Sequence, residues 1–348
     1  MSTFHKLSIK NYIRETSNAV SLVFDVPEDL RANFRFKAGQ YITLKTIING
    51  LEIRRAYSIC AAPESRELKV AIKTVENGIF SMYATSQLKE GDVLDVHEPE
   101  GKFILEPSKS NNYLGFAAGS GITPVLSMVK AVLQQEPSSS FTLIYGNKSS
   151  DETMFRSELE TLSKEYNSRF NLHYIFSRQK VEGSLFGRID VEHTNYFIKD
   201  IYKNWSFKAV YLCGPEEMIK NVSATLKDNS FKESQILFEL FTASIDEENI
   251  SQIKEGFTDV SILLDDEKFS FSMKQTDDIL AAALRNDVDA PYSCQGGVCS
   301  SCLGKVTEGK AIMAKNNILT DTEVNEGFIL TCQAHPTTSI ISIDFDDV

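Results

Sequence analysis

Hydrophobic and polar residues alternate along the first hundred residues of the chain, and a period of two is typical of β-strands with one buried face. Turn-forming stretches such as Pro27-Glu28-Asp29 and Glu90-Gly91-Asp92 separate the alternating runs. The pattern predicts short strands at 6–13, 20–26, 40–45, 52–60, 68–75 and 93–97, with a helical patch at 80–88. Short strands at this density predict a small antiparallel barrel.

From about residue 105 the pattern changes to apolar runs that alternate with helical spacing, which indicates a parallel α/β sheet. The predicted strands are 113–117, 141–145, 172–176 and 209–212, and the predicted helices are 125–134, 154–166 and 216–227. Ligands of such sheets bind outside the carboxyl ends of the strands. Four polar or glycine-rich turns fall at these ends: Gly119–Pro124, Tyr145-Gly146-Asn147, Ser177-Arg178 and Cys213-Gly214-Pro215.

The last third of the chain follows a hydrophilic stretch, 243–255, that has no consistent period and is typical of a linker. Strands are predicted at 260–264, 269–273, 303–307 and 340–345, with an amphipathic helix from about Thr276. The sequence therefore predicts a multi-domain chain. It has an antiparallel β-barrel at 1–105, an α/β domain with a parallel sheet at 106–242, the linker, and a small α+β domain at 256–348.

Four of the six cysteines form a C-x4-C-x2-C…C array, which is the ligand spacing of a plant-type [2Fe–2S] cluster. They are Cys294, Cys299, Cys302 and Cys332. Gly296 and Gly297 give the backbone room to wrap closely, so that amides can point at the sulfurs. Structural zinc is the alternative, but zinc sites usually repeat a two-residue spacer in both ligand pairs. The array therefore predicts the iron–sulfur cluster and leaves Cys60 and Cys213 as free thiols.

The net charge of −12 lies in the last third of the chain, because acidic and basic residues balance over 1–242. An acidic module disfavours nucleic acid as a partner and favours a basic surface on another protein. The alternative is that the acidic residues only keep the protein soluble. The sequence contains no apolar run of about 18 residues, and its start lacks the pattern of a signal peptide. We therefore expect a cytoplasmic protein that does not insert into a membrane.

Two stretches carry residues suited to a flavin and a nucleotide. Arg54-Arg55-Ala56-Tyr57-Ser58 places a cation, a ring and a hydroxyl along one strand, and a glycine and a serine open the helix that starts near Gly78. The turn Gly119–Pro124 joins a strand to a helix, whose first amides favour a pyrophosphate. Each stretch also has a purely structural explanation. Arg55 would then be solvated, Tyr57 would be a core ring and the glycines would only connect elements.

In chain order, several motifs resemble the ferredoxin–NADP reductase family of flavoproteins. They are Phe36-x-x-Gly39-Gln40-Tyr41, Arg55-x-Tyr57-Ser58, Gly78-x-x-Ser81, Glu100-Gly101-Lys102-Phe103, Gly119-x-Gly121-x-x-Pro124 and Cys213-Gly214-Pro215-x-x-Met218. The glycine of Gly101-x-Phe103 resembles members that bind FAD more than those that bind FMN. With a C-terminal β-grasp ferredoxin, the whole order resembles the reductase components of multicomponent oxygenases, and most closely those of bacterial phenylacetyl-CoA epoxidases.

The resemblance assigns a role to each matching residue. The flavin site comprises Arg55, Tyr57, Ser58, Lys73, Gly78 and Ser81. The pyridine-nucleotide site comprises Gly119, Gly121, Thr123, Pro124, Asn147, Ser177, Arg178, Cys213, Gly214 and Pro215. Cys213, Tyr57 and Ser58 are implied to lie beside the reacting rings. Cys213 as a mere buried apolar residue is the alternative. Two departures are Lys148, where an arginine often follows Asn147, and Glu239-Leu240-Phe241, where relatives often have Glu-Arg-Phe.

The implied electron path runs from NADPH through FAD and the cluster to a diiron oxygenase that docks near the acidic ferredoxin domain. NADPH is favoured over NADH because a hydroxyl and a guanidinium at Ser177-Arg178 suit a 2′-phosphate, whereas NAD sites commonly place a carboxylate there. NADH remains the alternative if Arg178 is only a solvated residue. The alternative functions are the reductase of another multicomponent oxygenase, since these share the same order of domains, and a stand-alone flavin oxidoreductase that uses NADH or NADPH. In a third alternative the cluster only stabilises the fold or senses redox state within a complex.

Overall fold

The structure is a computed structural model that describes residues 4–241, 249, 251–253 and 255–348. The chain divides into two compact units, 4–241 and 242–348. The predicted linker at 243–255 lies mostly outside the described residues, and the predicted domain limits at 105 and 255 stay predictions. Among the described residues no helix is both long enough and apolar enough to cross a membrane.

The first unit begins with a curled antiparallel sheet of six described strands, in the order β4-β3-β6-β1-β2-β5. The strands are β1 (Phe4–Thr16), β2 (Ala19–Asp25), β3 (Tyr41–Ile48), β4 (Leu51–Ser58), β5 (Leu68–Lys73) and β6 (Val93–His97). Ile59, just after β4, bridges Val70 of β5, so the two edges of the sheet meet and the sheet closes on itself. Alternate side chains such as Leu22 and Ile42 fill the interior without exposure. The helix α1 (Ile79–Ser86) follows β5. The closed antiparallel sheet confirms the predicted barrel.

A parallel sheet follows, with the described strand order β10-β9-β8-β7-β11-β12. The strands are β7 (Asn112–Ala118), β8 (Ser140–Asn147), β9 (Phe170–Phe176), β10 (Leu185–Phe186), β11 (Ala209–Cys213) and β12 (Ile236–Glu239). The helices are α2 (Ile122–Gln135), α3 (Arg156–Glu165), α4 (Val191–Asn195) and α5 (Glu216–Asp228). The strands β7 and β8 are buried almost throughout, as expected for a sheet covered on both faces.

Several features of this domain differ from the sequence predictions, among them the short helix α4, which was not predicted. The short edge strands β10 and β12 were not predicted, because segments of two and four residues carry little periodicity of their own. The predicted turn 119–124 is shorter than expected, since α2 already begins at Ile122. Pro124 fits inside the first helical turn, where a missing N–H costs nothing.

The second unit has a mixed five-stranded sheet, in the order β14-β13-β19-β15-β17 among the described residues, and a two-stranded ribbon of β16 and β18. The strands are β13 (Phe257–Leu264), β14 (Glu267–Lys274), β15 (Leu303–Glu308), β16 (Ala311–Met313), β17 (Phe328–Leu330), β18 (Ala334–Pro336) and β19 (Ile340–Asp344). The helices are α6 (Ile279–Arg285) and α7 (Asp321–Asn325). Asp278 caps α6 by accepting from the Ala281 amide at 2.8 Å, so the predicted helix starts three residues later than Thr276. The β-grasp expectation is confirmed.

Candidate functional site

The strand β4 carries Arg55, Tyr57 and Ser58, and of these Tyr57 packs against α1. The Tyr57 ring centre lies 5.6 Å from that of Phe80, which α1 supplies. Arg55 donates to the carbonyl oxygen of Arg54 at 2.7 Å and makes no ion pair among the described residues. Its guanidinium therefore retains donors for an anion. Burial of the Tyr57 hydroxyl raises its pKa, although the charge of Arg55 acts in the opposite direction, so the hydroxyl stays neutral.

The turn before α1 is held closed by Ser81. Its hydroxyl donates to the carbonyl oxygen of Gly78 at 3.2 Å and accepts from the Val75 amide at 3.1 Å. A Cβ on Gly78 would lie 2.5 Å from the Ser81 oxygen, so this turn requires glycine. The sequence assigned Ser81 to the pyrophosphate. In the structure its hydroxyl shapes the turn, and the first amides of α1 have no acceptor within the helix, as at any helix N-terminus that can bind an anion.

The glycine turn between β7 and α2 packs against the end of β11. Gly119 has a φ of +55°, and its carbonyl oxygen accepts from the Tyr145 hydroxyl at 3.0 Å. A Cβ on Gly121 would lie only 2.1 Å from the carbonyl oxygen of Cys213. Thr123 donates to the carbonyl oxygen of Ser120 at 3.1 Å and thereby fixes the first turn of α2. The two glycines thus let a helix N-terminus approach the backbone of Cys213 and Gly214 directly.

Asn147 ends β8 beside this turn, and it is 9% exposed. Among the residues that the structure describes, neither its side-chain oxygen nor its side-chain nitrogen has a hydrogen-bond partner. Buried amide groups are almost always paired, and an unpaired one costs about 1–3 kcal/mol. A polar ligand at the carboxyl end of β8 would remove that cost, so Asn147 fits a nucleotide site.

The next strand end brings Ser177 and Arg178 beside Asn147 and Lys148. The Ser177 amide donates to the carbonyl oxygen of Asn147, and the Arg178 amide donates to that of Lys148, both at 2.9 Å. The Arg178 side chain is exposed and makes no ion pair within the described part of the chain. Lys148 pairs with Glu152 at 3.9 Å. Two cations from neighbouring strand ends therefore lie on the same edge of the sheet.

Lys73 ends β5 of the barrel, yet its pKa responds to charges of the α/β domain. Burial lowers its pKa, Glu152 raises it and Lys148 lowers it. The barrel and the loop after β8 thus contribute to one charged region, where a phosphate would find Lys73 and Lys148 together.

Ser58, Cys213 and Glu239 meet where the barrel contacts the parallel sheet. Cys213 ends β11 and pairs in register with Glu239 of β12 and with Ala117 of β7. The Ser58 hydroxyl donates to Oε2 of Glu239 at 3.2 Å. Cys213 has no exposure, and both burial and Glu239 raise the pKa of its thiol, so it is neutral.

The sequence analysis gave Glu239 no role, although it noted the unusual residue that follows it. Glu239 is half-buried, and desolvation of its carboxyl group raises its pKa to about 8, against the lowering effect of the Ser58 hydrogen bond. A perturbed carboxyl in contact with two predicted site residues is a strong functional candidate. Its place became visible only once β12 was paired with β11.

The four cysteines of the second unit form two pairs of sulfurs. Cys294 and Cys299 lie 3.0 Å apart, and Cys302 and Cys332 lie 3.3 Å apart. All six cysteines are free of disulfides. Among the described residues no three His, Cys, Asp or Glu side chains form a single-ion site. Two pairs match a cluster in which each of two irons takes two thiolates.

The cysteine loop has the conformation that the glycines were expected to allow. The Gly296 amide donates to the Cys294 sulfur at 3.3 Å. Gly297 has a φ of +71°, and a Cβ there would lie 3.0 Å from Gln333, so this position requires glycine. Gly296 has room for a side chain, so its main contribution to the loop is the amide that donates to sulfur. The loop therefore fits a [2Fe–2S] cluster.

In the first unit, the unpaired Asn147 side chain and the close approach of Gly121 to Cys213 fit a nucleotide.

Comparison with known proteins assigns a domain type to each part of the chain. Family models for an oxidoreductase FAD-binding domain, an oxidoreductase NAD-binding domain and a 2Fe-2S iron-sulfur cluster binding domain match residues 6–104, 116–224 and 262–337. A solved structure of phthalate dioxygenase reductase shares the fold, with a TM-score of 0.65 and 24% identity over 98% of both chains.

Two curated relatives match essentially end to end. One subunit of the 1,2-phenylacetyl-CoA epoxidase of Escherichia coli (strain K12) is 38% identical over 99% of both chains. The ferredoxin reductase component of the 3-ketosteroid-9-alpha-monooxygenase of Rhodococcus rhodochrous is 30% identical over 97% of this chain and 96% of its own length. The chain therefore belongs to the family of oxidoreductases that carry FAD-binding, NAD-binding and 2Fe–2S domains and serve as reductase components of multicomponent oxygenases.

Proposed function

We propose that this protein takes electrons from NADPH and delivers them to a diiron oxygenase that epoxidises the ring of phenylacetyl-CoA. The observation that carries the redox part is the junction of Ser58, Cys213 and Glu239, where the flavin strand and the nucleotide-binding sheet share a hydrogen bond of 3.2 Å. The 38% identity with a component of the Escherichia coli phenylacetyl-CoA epoxidase supports the choice of oxygenase.

The residues of the chain perform positioning rather than acid–base chemistry. When bound, FAD accepts a hydride from the nicotinamide and releases electrons singly, which is what a one-electron cluster requires. Ser58 and Cys213 present neutral, buried groups that exclude water from the junction. Arg55 and the first amides of α1 hold the flavin phosphates, while the turn Gly119–Gly121 and Asn147 hold the nucleotide.

Electron delivery to the oxygenase is tested by reconstitution. The purified reductase is mixed with a phenylacetyl-CoA epoxidase lacking its own reductase, and oxidation of NADPH is followed with and without phenylacetyl-CoA. We expect consumption that requires both the oxygenase and the thioester. Steady consumption without any oxygenase, coupled to reduction of a small metabolite, would favour a stand-alone flavin oxidoreductase instead.

The preference for NADPH rests on Arg178 and Ser177 at the end of β9. A lost charge-assisted hydrogen bond costs roughly 1.5–3 kcal/mol, so Arg178→Ala should lower kcat/KM for NADPH by about 10–150-fold and leave NADH nearly unchanged. Arg188→Ala, an exposed arginine of the same domain, is the control. A wild type that prefers NADH, or equal losses with both nucleotides, would refute the preference.

The docking face is proposed to be the acidic surface of the second unit, since acidic residues exceed basic ones throughout 256–348. An oxygenase with a complementary basic surface should associate more slowly as salt rises, because the Debye length falls to about 10 Å at 0.1 M. Stopped-flow association measured across a salt series tests this, and a rate independent of salt would point to apolar docking.

A further inference from the structure

The strand that carries the candidate flavin residues is tied to the nucleotide-binding domain at a second place. β4 ends at Ser58, and the buried loop 59–62 follows it. Ser127 of α2 donates to the carbonyl oxygen of Ala61 at 2.7 Å, and Lys130 of α2 donates to that of Cys60 at 3.0 Å. The same helix begins directly after Gly121. One helix therefore contacts both the glycine turn and the loop that leaves the flavin strand.

Both donors are enclosed, so these contacts are not incidental surface bonds. Ser127 has no exposure and Lys130 is 8% exposed. The Lys130 ammonium lies 2.5 Å from Glu158 of α3. Lys69 of β5 lies 4.0 Å from Glu158 and 3.7 Å from Glu15 of β1, which extends the charged network into the barrel. A buried ion network gains little net stability over apolar packing, but it tolerates few alternative geometries.

The loop is also fixed from the barrel side. The Cys60 amide donates to the carbonyl oxygen of Lys69 at 2.9 Å, and the Cys60 thiol donates to the same oxygen at 3.3 Å. Ile59 bridges Val70. Because the loop is held between β5 and α2, a shift of α2 is transmitted to Ser58, which immediately precedes Ile59.

We propose that Ser127 and Lys130 are positioning residues for electron transfer from nucleotide to flavin. They set the separation between the turn Gly119–Gly121, where the nucleotide binds, and the end of β4, where the flavin binds. The inference rests on the proposed redox function. Transfer of a hydride needs the reacting atoms within about 3–3.5 Å, so a small shift between the two supports lowers the rate without removing either binding site.

The test compares Ser127→Ala with Ser140→Ala in the flavin-loaded protein. Ser140 is also buried, and its hydroxyl donates to Asn112 at 2.7 Å, but both residues belong to the nucleotide-binding sheet. Stopped-flow flavin reduction gives the limiting rate and the nucleotide Kd, while flavin content and Tm report structural damage. We expect Ser127→Ala to lower the limiting rate by about 10-fold and the Kd to change less than about twofold.

The kinetic isotope effect on flavin reduction, measured with nucleotide deuterated at C4 of the nicotinamide, should also change in Ser127→Ala, because the transfer distance changes. In Ser140→Ala this isotope effect should stay at the wild-type value. Lys130→Met should lower the rate in the same way, and Lys130→Arg should restore part of it. If Ser127→Ala does not retain flavin, Ser127→Cys and Ser140→Cys provide the same comparison, because a thiol leaves no cavity and is only a weak donor.

An unchanged limiting rate in the Ser127 variant, or an equal loss in both serine variants, would overturn the positioning role. Failure of the proposed function looks different. In that case the wild type itself does not reduce its flavin with a pyridine nucleotide, and the comparison of variants does not arise.

Discussion

Replacing Gly121 with alanine isolates the contact that joins the nucleotide turn to Cys213. Gly121 has a φ of −62°, which alanine adopts without strain, so the effect of the substitution is purely steric. The new Cβ would lie 2.1 Å from the carbonyl oxygen of Cys213, 2.5 Å from its carbonyl carbon and 2.9 Å from the Gly214 nitrogen. All three are backbone atoms, so the turn and β11 must separate by roughly 1 Å to reach normal contact.

A displacement of about 1 Å near a reacting centre costs up to about 100-fold in rate, or about 2.7 kcal/mol. We therefore expect Gly121→Ala to retain FAD, because the barrel is untouched, and to lose about 100-fold in kcat/KM for the nucleotide. The assay is single-turnover reduction of the flavin, followed by its absorbance, with Tm and flavin content measured on the same samples.

Gly183→Ala provides a control in the same domain but outside the candidate site. A Cβ there meets no described atom within 4 Å, but its φ of +77° is unfavourable for alanine by roughly 1 kcal/mol. This variant should lose stability and keep most of its activity, whereas Gly121→Ala should show the larger kinetic loss. Near-normal flavin reduction in Gly121→Ala, or equal kinetic losses in both variants, would refute the reasoning.

Three further changes test other parts of the site. Cys332→Ser should abolish the [2Fe–2S] EPR signal yet leave flavin reduction intact. The control Cys60→Ser should change neither the signal nor flavin reduction, and a normal signal in Cys332→Ser would contradict the ligand assignment. Arg55→Ala should weaken FAD retention by tenfold or more on loss of about 1.5–3 kcal/mol, measured after dialysis, and stoichiometric FAD would argue against the contact. Because the pKa of Glu239 is raised from its usual 4.5 to about 8, the folded state keeps a proton that the unfolded state loses, so Tm should fall as the pH rises from about 4.5 to about 8. Ionisation near pH 8 places a negative charge beside the proposed site of hydride transfer, so the rate should decline there, and declines that persist in Glu239→Gln would exclude this carboxyl.

The sequence alone determined the type and order of most elements, because periodicity and turn chemistry are local properties of the chain. Alternation in 1–105 predicted the barrel, and apolar runs joined by Gly119–Pro124 and Cys213-Gly214-Pro215 predicted the parallel sheet with its site at the strand ends. The four cysteines predicted to hold the cluster were selected by their spacing alone, since three of them lie on one short loop whose geometry depends on few residues.

Only the tertiary structure decided which distant groups touch. Glu239 acquires a role because the short strand β12 pairs in parallel with β11, and neither its length nor its composition indicates that pairing. The same holds for Ser127 and Lys130, whose buried positions on α2 are typical of an ordinary helix core until the loop after β4 is placed against them. Contacts between residues far apart in sequence depend on how whole elements pack, and burial then sets the charge state of groups such as Glu239. Local pattern thus specified most of the helices and strands and the candidate ligands, whereas packing between the barrel and the parallel sheet brought Ser58, Cys213 and Glu239 together.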